Sequence, residues 1–463
     1  MKRTINKLMG VLLVAGLVTV SSCSTDDLNP SLEQNKEGDQ AIATSADLEG
    51  ILKGAYNRMT STLYYGRDYI VTNEVRTPNT WANGRSGRFV TEGSFGYNPN
   101  GLYIWAQAYA TIASANIIIN ADVAALTDAN ANTDYARHIQ GQAYAIRALA
   151  HFDLLKVYGQ EHVGGDLGVP YMTEFKGDNE YPARGSVAEN KAMIYADLDT
   201  AFEMMSEDFY DSSKEFMSKY TAKALESRVG TWFGDWERVR EASEEVIESG
   251  RYSIVPADQF VASFEVDAAV NSIFELAYDD TDNEGINGLE YIYRGTSYGD
   301  ISVTPNAFND LYDANDVRAD VFGTEQVGSN LRLRNMGKYP SRASNVPIIR
   351  YEEVILNYAE ALMNLGETGE ALNWLNMIPE NRNAETYSAA TIENILEERR
   401  KEFLFEGLYY WDLQRLQMDI IEVDAEQNIN ETIEYGDYRR IHPIPNSELD
   451  ANSSIVQNPG YGG

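Results

Sequence analysis

Apolar residues recur every three to four positions along much of this chain, and that recurrence predicts its elements. Thr44 or Ser45 caps a predicted helix that runs to about Arg58. A second helix is predicted over 101–125. A third covers 134–158, with Ile139, Ala143, Ile146, Ala150, Leu154 and Val157 on one face and Gly159 at its C-terminal cap. Residues 160–185 read as loop, and the helical period resumes at Ala188. Two helix pairs follow, 221–233 with 235–248 and 353–365 with 368–377, broken at Gly234 and Gly366. Each pair has about the tetratricopeptide repeat length of 34 residues. Ala224, Trp232, Ala242, Tyr358, Ala361, Leu365 and Ala371 fall where small and large side chains must interlock, so a stacked helical scaffold is expected.

Two long stretches lose the helical period. Residues 64–100 are rich in Gly, Asn, Arg and aromatics. Residues 252–346 mix short apolar runs, such as 272–278, with Gly-rich turns, and predict loops, short strands and a few short helices. Long irregular segments in a folded chain tend to carry function. The expected fold class is therefore mainly α. A single folded region spans 41–463, with a helical scaffold to about 250, a loop-rich insertion over 251–346, and C-terminal helices and tail over 347–463.

The N-terminus has a different pattern. Lys2, Arg3 and Lys7 precede an apolar run over 8–20, then Ser21, Ser22 and Cys23. A basic start, apolar middle and small-residue end have the shape of a secretory signal. A cysteine directly after the small residues looks like a bacterial lipobox. Residues 1–22 are then a lipoprotein signal peptide and Cys23 is the lipidated N-terminus. The competing reading, a transmembrane anchor with a free thiol, needs a span of about 20 residues, which this run does not reach. Residues 24–40 are polar and aperiodic, as a flexible tether would be. Cys23 is the only cysteine. Once it is acylated, no disulfide, thiolate metal site or cysteine nucleophile can form within the chain.

The formal charge of −34 opposes binding to nucleic acid and anionic lipid, which requires basic patches. The 30 tyrosines stand out, since tyrosine offers a flat apolar face and a polar edge to cores and ligands alike. Catalytic spacings are weak. Gly295-Thr-Ser297-Tyr-Gly299 fits a nucleophile elbow, but that motif needs a helix after it and the following 301–305 reads as extended. His442 is the only histidine downstream. His138, His151 and His162 are scattered without metal-ligand spacing. The run Asp279 to Gly285 resembles a calcium loop, but Tyr291 occupies the position of the bidentate Glu. An EF-hand is excluded, while an irregular calcium site stays open. No catalytic residue or cofactor is assigned.

Four ordered motifs carry a family resemblance. They are the helix from Gln142 through Arg147 and Phe152 to Tyr158-Gly159, followed by Gly168-Val-Pro170; Arg350-Tyr-Glu-Glu through Ala359-Glu360-Ala361; Glu398-Arg399-Arg400-Lys-Glu402-Phe403 to Glu406-Gly407 and Trp411-Asp412-Leu413; and His442-Pro-Ile-Pro445 with Gln457-Asn458-Pro459-Gly460-Tyr461. Together they resemble the SusD/RagB nutrient-binding lipoproteins of Bacteroidetes, over essentially the whole chain. The resemblance implies a SusD-like helical fold built on tetratricopeptide-like pairs, with long irregular ligand-binding loops. It implies no enzyme activity. It implies a lipid-anchored protein of the outer membrane facing the medium, a signal that Ser24-Thr25-Asp26-Asp27 also resembles. It implies capture of oligosaccharide and delivery to a SusC-like TonB-dependent transporter. Binding of peptides or another nutrient, or a tetratricopeptide adaptor role, are the alternatives.

Sugar binding needs aromatic platforms for pyranose faces and amide, guanidinium or carboxylate groups for hydroxyls. Residues 73–83 and 290–298 supply both. By position in the family, the resemblance assigns ligand contacts to Arg76, Asn79, Trp81, Tyr291, Tyr293 and Tyr298. Tyr291 and Tyr293 also alternate as a half-buried strand would. Trp105, Trp232, Trp236, Trp374 and Trp411 lie in helical segments and read as packing. Arg399, Arg400, Glu402 and Glu406 read as charges that hold helices together through neighbouring-turn pairs.

Overall fold

Several helix starts in this chain are set by side-chain caps. In the computed structural model, Thr44 and Asp47 form a reciprocal capping box at the start of α1 (Ser45–Met59). The structure describes residues 42–176, 181–295, 298–424 and 429–462. The signal peptide, Cys23, the tether and Ser297 lie outside them. After α1 come α2 (Asp68–Val75), β1 (Thr80–Ala82), α3 (Trp105–Ile119) and α4 (Ala129–Tyr158). Next are α5 (Val187–Met204), α6 (Lys219–Phe233), α7 (Trp236–Glu248), β2 (Ser272–Leu276) and α8 (Leu289–Tyr293). The chain continues through β3 (Ile301–Val303), β4 (Phe322–Val327), β5 (Asn330–Asn335), β6 (Val346–Arg350) and α9 (Tyr351–Asn364). It closes with α10 (Thr368–Glu380), α11 (Ile392–Glu402), α12 (Tyr409–Arg415), β7 (Ile420–Val423) and β8 (Ile429–Ile433).

The helices stack in sequence, α3 on α4, α4 on α5, α5 on α6, then the pairs α6–α7 and α9–α10, with α7 bridging to α9. Both pairs are the predicted tetratricopeptide-like units. Gly234 ends α6 at φ +71°, a left-handed conformation open to glycine at little cost. Gly230 lets α7 approach closely, because a Cβ there would stand 2.6 Å from Val239 Cγ2. Ala224, Ala242, Ala361 and Ala371 are fully buried at these contacts. Tyr358 packs edge-on against Trp374 at 5.2 Å.

Among the described residues, strands form only two-stranded antiparallel sheets: β1–β3, β2–β6, β4–β5 and β7–β8. The 101–125 prediction shortens to α3, and 64–100 contains α2, a helix the sequence did not predict. Every residue of α2 after Asp68 is buried, so no polar face was left to mark a period. Several tyrosines serve as buried donors. Tyr64, Tyr65 and Tyr69 all donate to the Asp153 carboxylate at 2.6–2.7 Å, with Lys156 Nζ 3.2 Å from it.

The charged motif near residue 400 holds the fold from inside. Glu402 is fully buried and accepts from Arg382 at 2.9 Å, Arg350 at 3.0 Å and Arg318 at 3.4 Å. Glu352 shares Arg382 Nη2 and Arg350 Nη1 with Glu402, and Glu398 and Asp316 flank Arg318. Arg399 pairs with Asp412 at 2.9 Å. The helix ends at Glu402, so Glu406 lies beyond it, paired with Lys338 and Arg350. The expected neighbouring-turn pairing is thus corrected. These charges bind distant segments, because fully buried groups must find opposite charge wherever the core offers it.

Candidate functional site

The two irregular segments singled out in the sequence meet in space. β1 pairs with β3, setting Trp81 opposite Ser302. Asn83 continues the junction, donating to Gly299 O at 2.7 Å and Ser302 Oγ at 3.0 Å. Buried Asp300 accepts from Ser86 N at 3.1 Å and Arg88 Nε at 3.0 Å. Arg88 then lies over the Tyr298 ring, 4.0 Å from its centroid, and donates to Asn287 Oδ1 at 3.1 Å.

Trp81, Tyr291 and Tyr298 are half-buried and keep exposed surface. The other three positions turn inward, which corrects their expected role. Arg76 contacts His442 Nε2 and lies over Tyr97 and Tyr410 at 4.9 and 5.2 Å. Asn79 Oδ1 accepts twice from Arg400, at 2.6 and 2.8 Å. Tyr293 stacks on Tyr339, 5.8 Å apart and 10° from parallel. Tyr291 and Tyr293 belong to a helix rather than a strand. Positions two apart on a helix face different ways, so one turns out as the other goes in.

A cleft of about 400 Å³ opens beside Arg88, walled by Arg67, Asp68, Phe89, Tyr97, Tyr103 and His442. His442 lies between two rings, 4.1 Å from Tyr97 and 4.4 Å from Tyr103. Burial and the nearby Arg76 guanidinium hold its imidazole well below the usual range, so it is neutral at pH 7. Burial raises the Asp68 carboxyl, against the pull of Arg67, which it meets at 2.6 Å. The cleft thus has an uncharged aromatic wall and guanidinium donors at Arg67 and Arg88. Such a surface can stack on pyranose faces and donate to their oxygens.

On the Trp81 side, the β4–β5 hairpin sets Arg332 opposite Glu325. The Arg332 guanidinium lies 5.3 Å from the Trp81 ring centroid. Arg334 binds Glu325 at 2.7 Å and donates to Gly299 O and Ile301 O, locking the hairpin to β3. Arg85 reaches Gly295 O at 3.3 Å and Glu325 at 3.5 Å. Sequence reasoning missed Arg67, Arg88, Arg332, Tyr97, Tyr103 and His442 as site residues. For Arg67, Arg88 and Tyr97 the density of Arg and aromatics over 64–100 was the available signal; Tyr103, Arg332 and His442 had none.

Among the described residues, no group of three or more His, Cys, Asp or Glu is placed to hold a metal ion. In the acidic loop, Asp279 Oδ1 accepts from the backbone N–H groups of Thr281 and Asp282 and closes its own turn.

Residues 334–461 match the family described as "SusD family", and residues 27–230 match one described as "Starch-binding associating with outer membrane". A "SusD-like protein P2" of Formosa agariphila is 25% identical, over 96% of this chain and 98% of its own length. A putative sugar binding protein of Bacteroides vulgatus is similar in structure, with a TM-score of 0.83, 27% identity, and coverage of 91% of this chain and 100% of its own. A SusD superfamily protein of Bacteroides thetaiotaomicron gives 0.81, 25%, 90% and 100%. Over these two stretches, and in its overall fold, the chain is similar to SusD-family proteins. Among the described residues, no helix is long and apolar enough to cross a membrane.

Proposed function

We propose that this protein is a non-catalytic, surface-exposed lipoprotein that binds oligosaccharide and passes it to a SusC-like TonB-dependent transporter. The observation that carries the reading is the joining of the two irregular segments around Arg88, which lies on Tyr298 and also lines the aromatic cleft. The family description, with its starch binding and outer-membrane association, supports it, as does the sugar-binding relative from Bacteroides vulgatus. Lipid on Cys23 tethers the body to the outer membrane, facing the medium. Sugar rings stack on Trp81, Tyr298 and the Tyr103 side of the cleft, while Arg67 and Arg88 donate to ring oxygens. Handover follows as the lipoprotein hinges over the transporter mouth. Calcium takes no part in this reading.

The test is calorimetry of the purified protein against panels of polysaccharides and of peptides. Glycan heat that falls three- to tenfold in affinity in Trp81→Ala and in Tyr298→Ala is expected, the size of one aromatic contact. Transporter co-purification should survive both changes. Heat with peptides alone would transfer the protein to the peptide-binding alternative, and turnover of any glycan would end the non-catalytic assignment.

A further inference from the structure

The chain carries a formal net charge of −34, yet arginines gather on the surface beside Trp81 and Tyr298. Four guanidiniums, those of Arg85, Arg88, Arg332 and Arg334, gather around two carboxylates, Glu325 and Asp300. Arg332 and Arg334 share a face of β5 with Glu325 of β4, because alternate strand residues point the same way. Arg334 takes most of Glu325, with both its Nε and Nη2 on one carboxylate oxygen. Arg85 reaches the other oxygen only at 3.5 Å. The Arg332 guanidinium makes no hydrogen bond or ion pair among the described residues and contacts the Trp81 ring. Arg88 Nη2 is buried without a hydrogen-bond partner. Burial lowers the Arg334 guanidinium pKa; its pairing with Glu325 opposes this, and the like charges of Arg85 and Arg332 add to the lowering.

We propose that the glycan bound at this site is anionic, with carboxylate or sulfate groups on its sugar rings. The inference rests on the site's binding a glycan at all. Like charges held this close repel, and an anion inserted among them relieves the repulsion. Guanidiniums match carboxylate and sulfate oxygens in planar pairs of hydrogen bonds, which a sugar hydroxyl cannot reproduce. The excess acidity elsewhere on the chain does not cancel this field. Salt screens charges beyond about 8 Å at physiological ionic strength, whereas these arginines would touch the ligand.

The experiment is calorimetry of the purified protein with matched probes. Oligogalacturonates are compared with their fully methyl-esterified, neutral counterparts, and dextran sulfate oligomers with dextran. Alginate oligomers are titrated as a second carboxylated backbone. At least one anionic probe should bind about tenfold or more tightly than its neutral match, the size a charge-assisted hydrogen bond supplies. The carboxylate and sulfate arms show which group is read. The preference should weaken steeply with added salt. It should collapse in Arg332→Gln and Arg85→Gln, and survive in part in Arg332→Lys, which keeps the charge but not the planar fork. Unchanged near-ultraviolet circular dichroism excludes misfolding of the variants. Neutral glycans binding as well as or better than charged ones would overturn the anionic assignment and leave carbohydrate capture standing. Silence with every glycan would overturn both.

Discussion

Replacing Glu402 by Gln removes one negative charge from a place where three arginines converge and almost no solvent reaches. The amide keeps the volume and one acceptor oxygen, but it turns an N–H₂ toward cations. Breaking a buried ion pair in this way costs about 3–5 kcal/mol, because the remaining charge is left uncompensated. Glu352, Glu398, Asp316 and Glu406 still share the arginines, which places the expected loss near the lower end, at about 3 kcal/mol. With unfolding entropy of about 2 cal/mol/K per residue, that loss lowers Tm by roughly 3–4 °C. Glu397→Gln is the internal control. It sits on the same helix, but its side chain is 50% exposed and pairs only with Lys401 one turn on. Such a pair is worth about 0.3–0.5 kcal/mol.

Burial alone would raise the Glu402 carboxyl, but Arg382, Arg350 and Arg318 outweigh it and hold the group far below the usual range. Its folded value is depressed, so its stabilisation is complete above the ordinary carboxylate value of about 4.3 and disappears as pH falls toward the folded value. Denaturant melts of both variants from pH 8 to pH 3.5 provide the assay. The gap between wild type and Glu402→Gln should be constant above about pH 5 and begin to close below about pH 4. If Glu402→Gln and Glu397→Gln unfold within 0.5 kcal/mol of each other, the buried network is not what holds α11 in place.

Two further outcomes follow from the same physics. Burial raises the Glu74 carboxyl to about 7, with the Gly407 N–H at 2.8 Å only partly compensating. The folded state then prefers the protonated acid, so stability is lost as pH rises from about 4 through 7. Glu74→Gln should exceed wild type by about 2–3 kcal/mol at pH 8 and match it near pH 4, by denaturant titration. Gly230→Ala should destabilise the protein by about 1 kcal/mol or more in thermal melts. The Cβ would overlap Val239, and that clash outweighs the better helix propensity of alanine.

Much of the scaffold was legible because its helices are long and several have one wet face; α4 was found by its length although the stretch from His138 to Tyr158 is almost wholly buried. Both tetratricopeptide-like pairs appeared where the period and the glycine breaks placed them. α2 was invisible because it is only 8 residues long and its polar Thr72, Asn73 and Glu74 are buried with its apolar side chains, so polarity does not separate core from water. The two irregular segments singled out in the sequence do meet in space, but the direction of each side chain was not legible there. Arg76 turned inward because His442, Tyr97 and Tyr410 build its pocket, and Asn79 because Arg400 claims its amide oxygen. Those partners sit far along the chain, and no local pattern announces them. Arg332 escaped notice for the same reason, since its significance depends on Trp81 lying beside it.

The pairing of β1 with β3, together with the Arg76–His442 and Asn79–Arg400 contacts, means the site has no local precursor. Its walls are drawn from early, middle and final parts of the chain. An unfinished, nicked or misrouted copy therefore has the residues but not the receptor. Assembly of the cleft thus reports completed folding of the whole chain rather than of any one stretch of it.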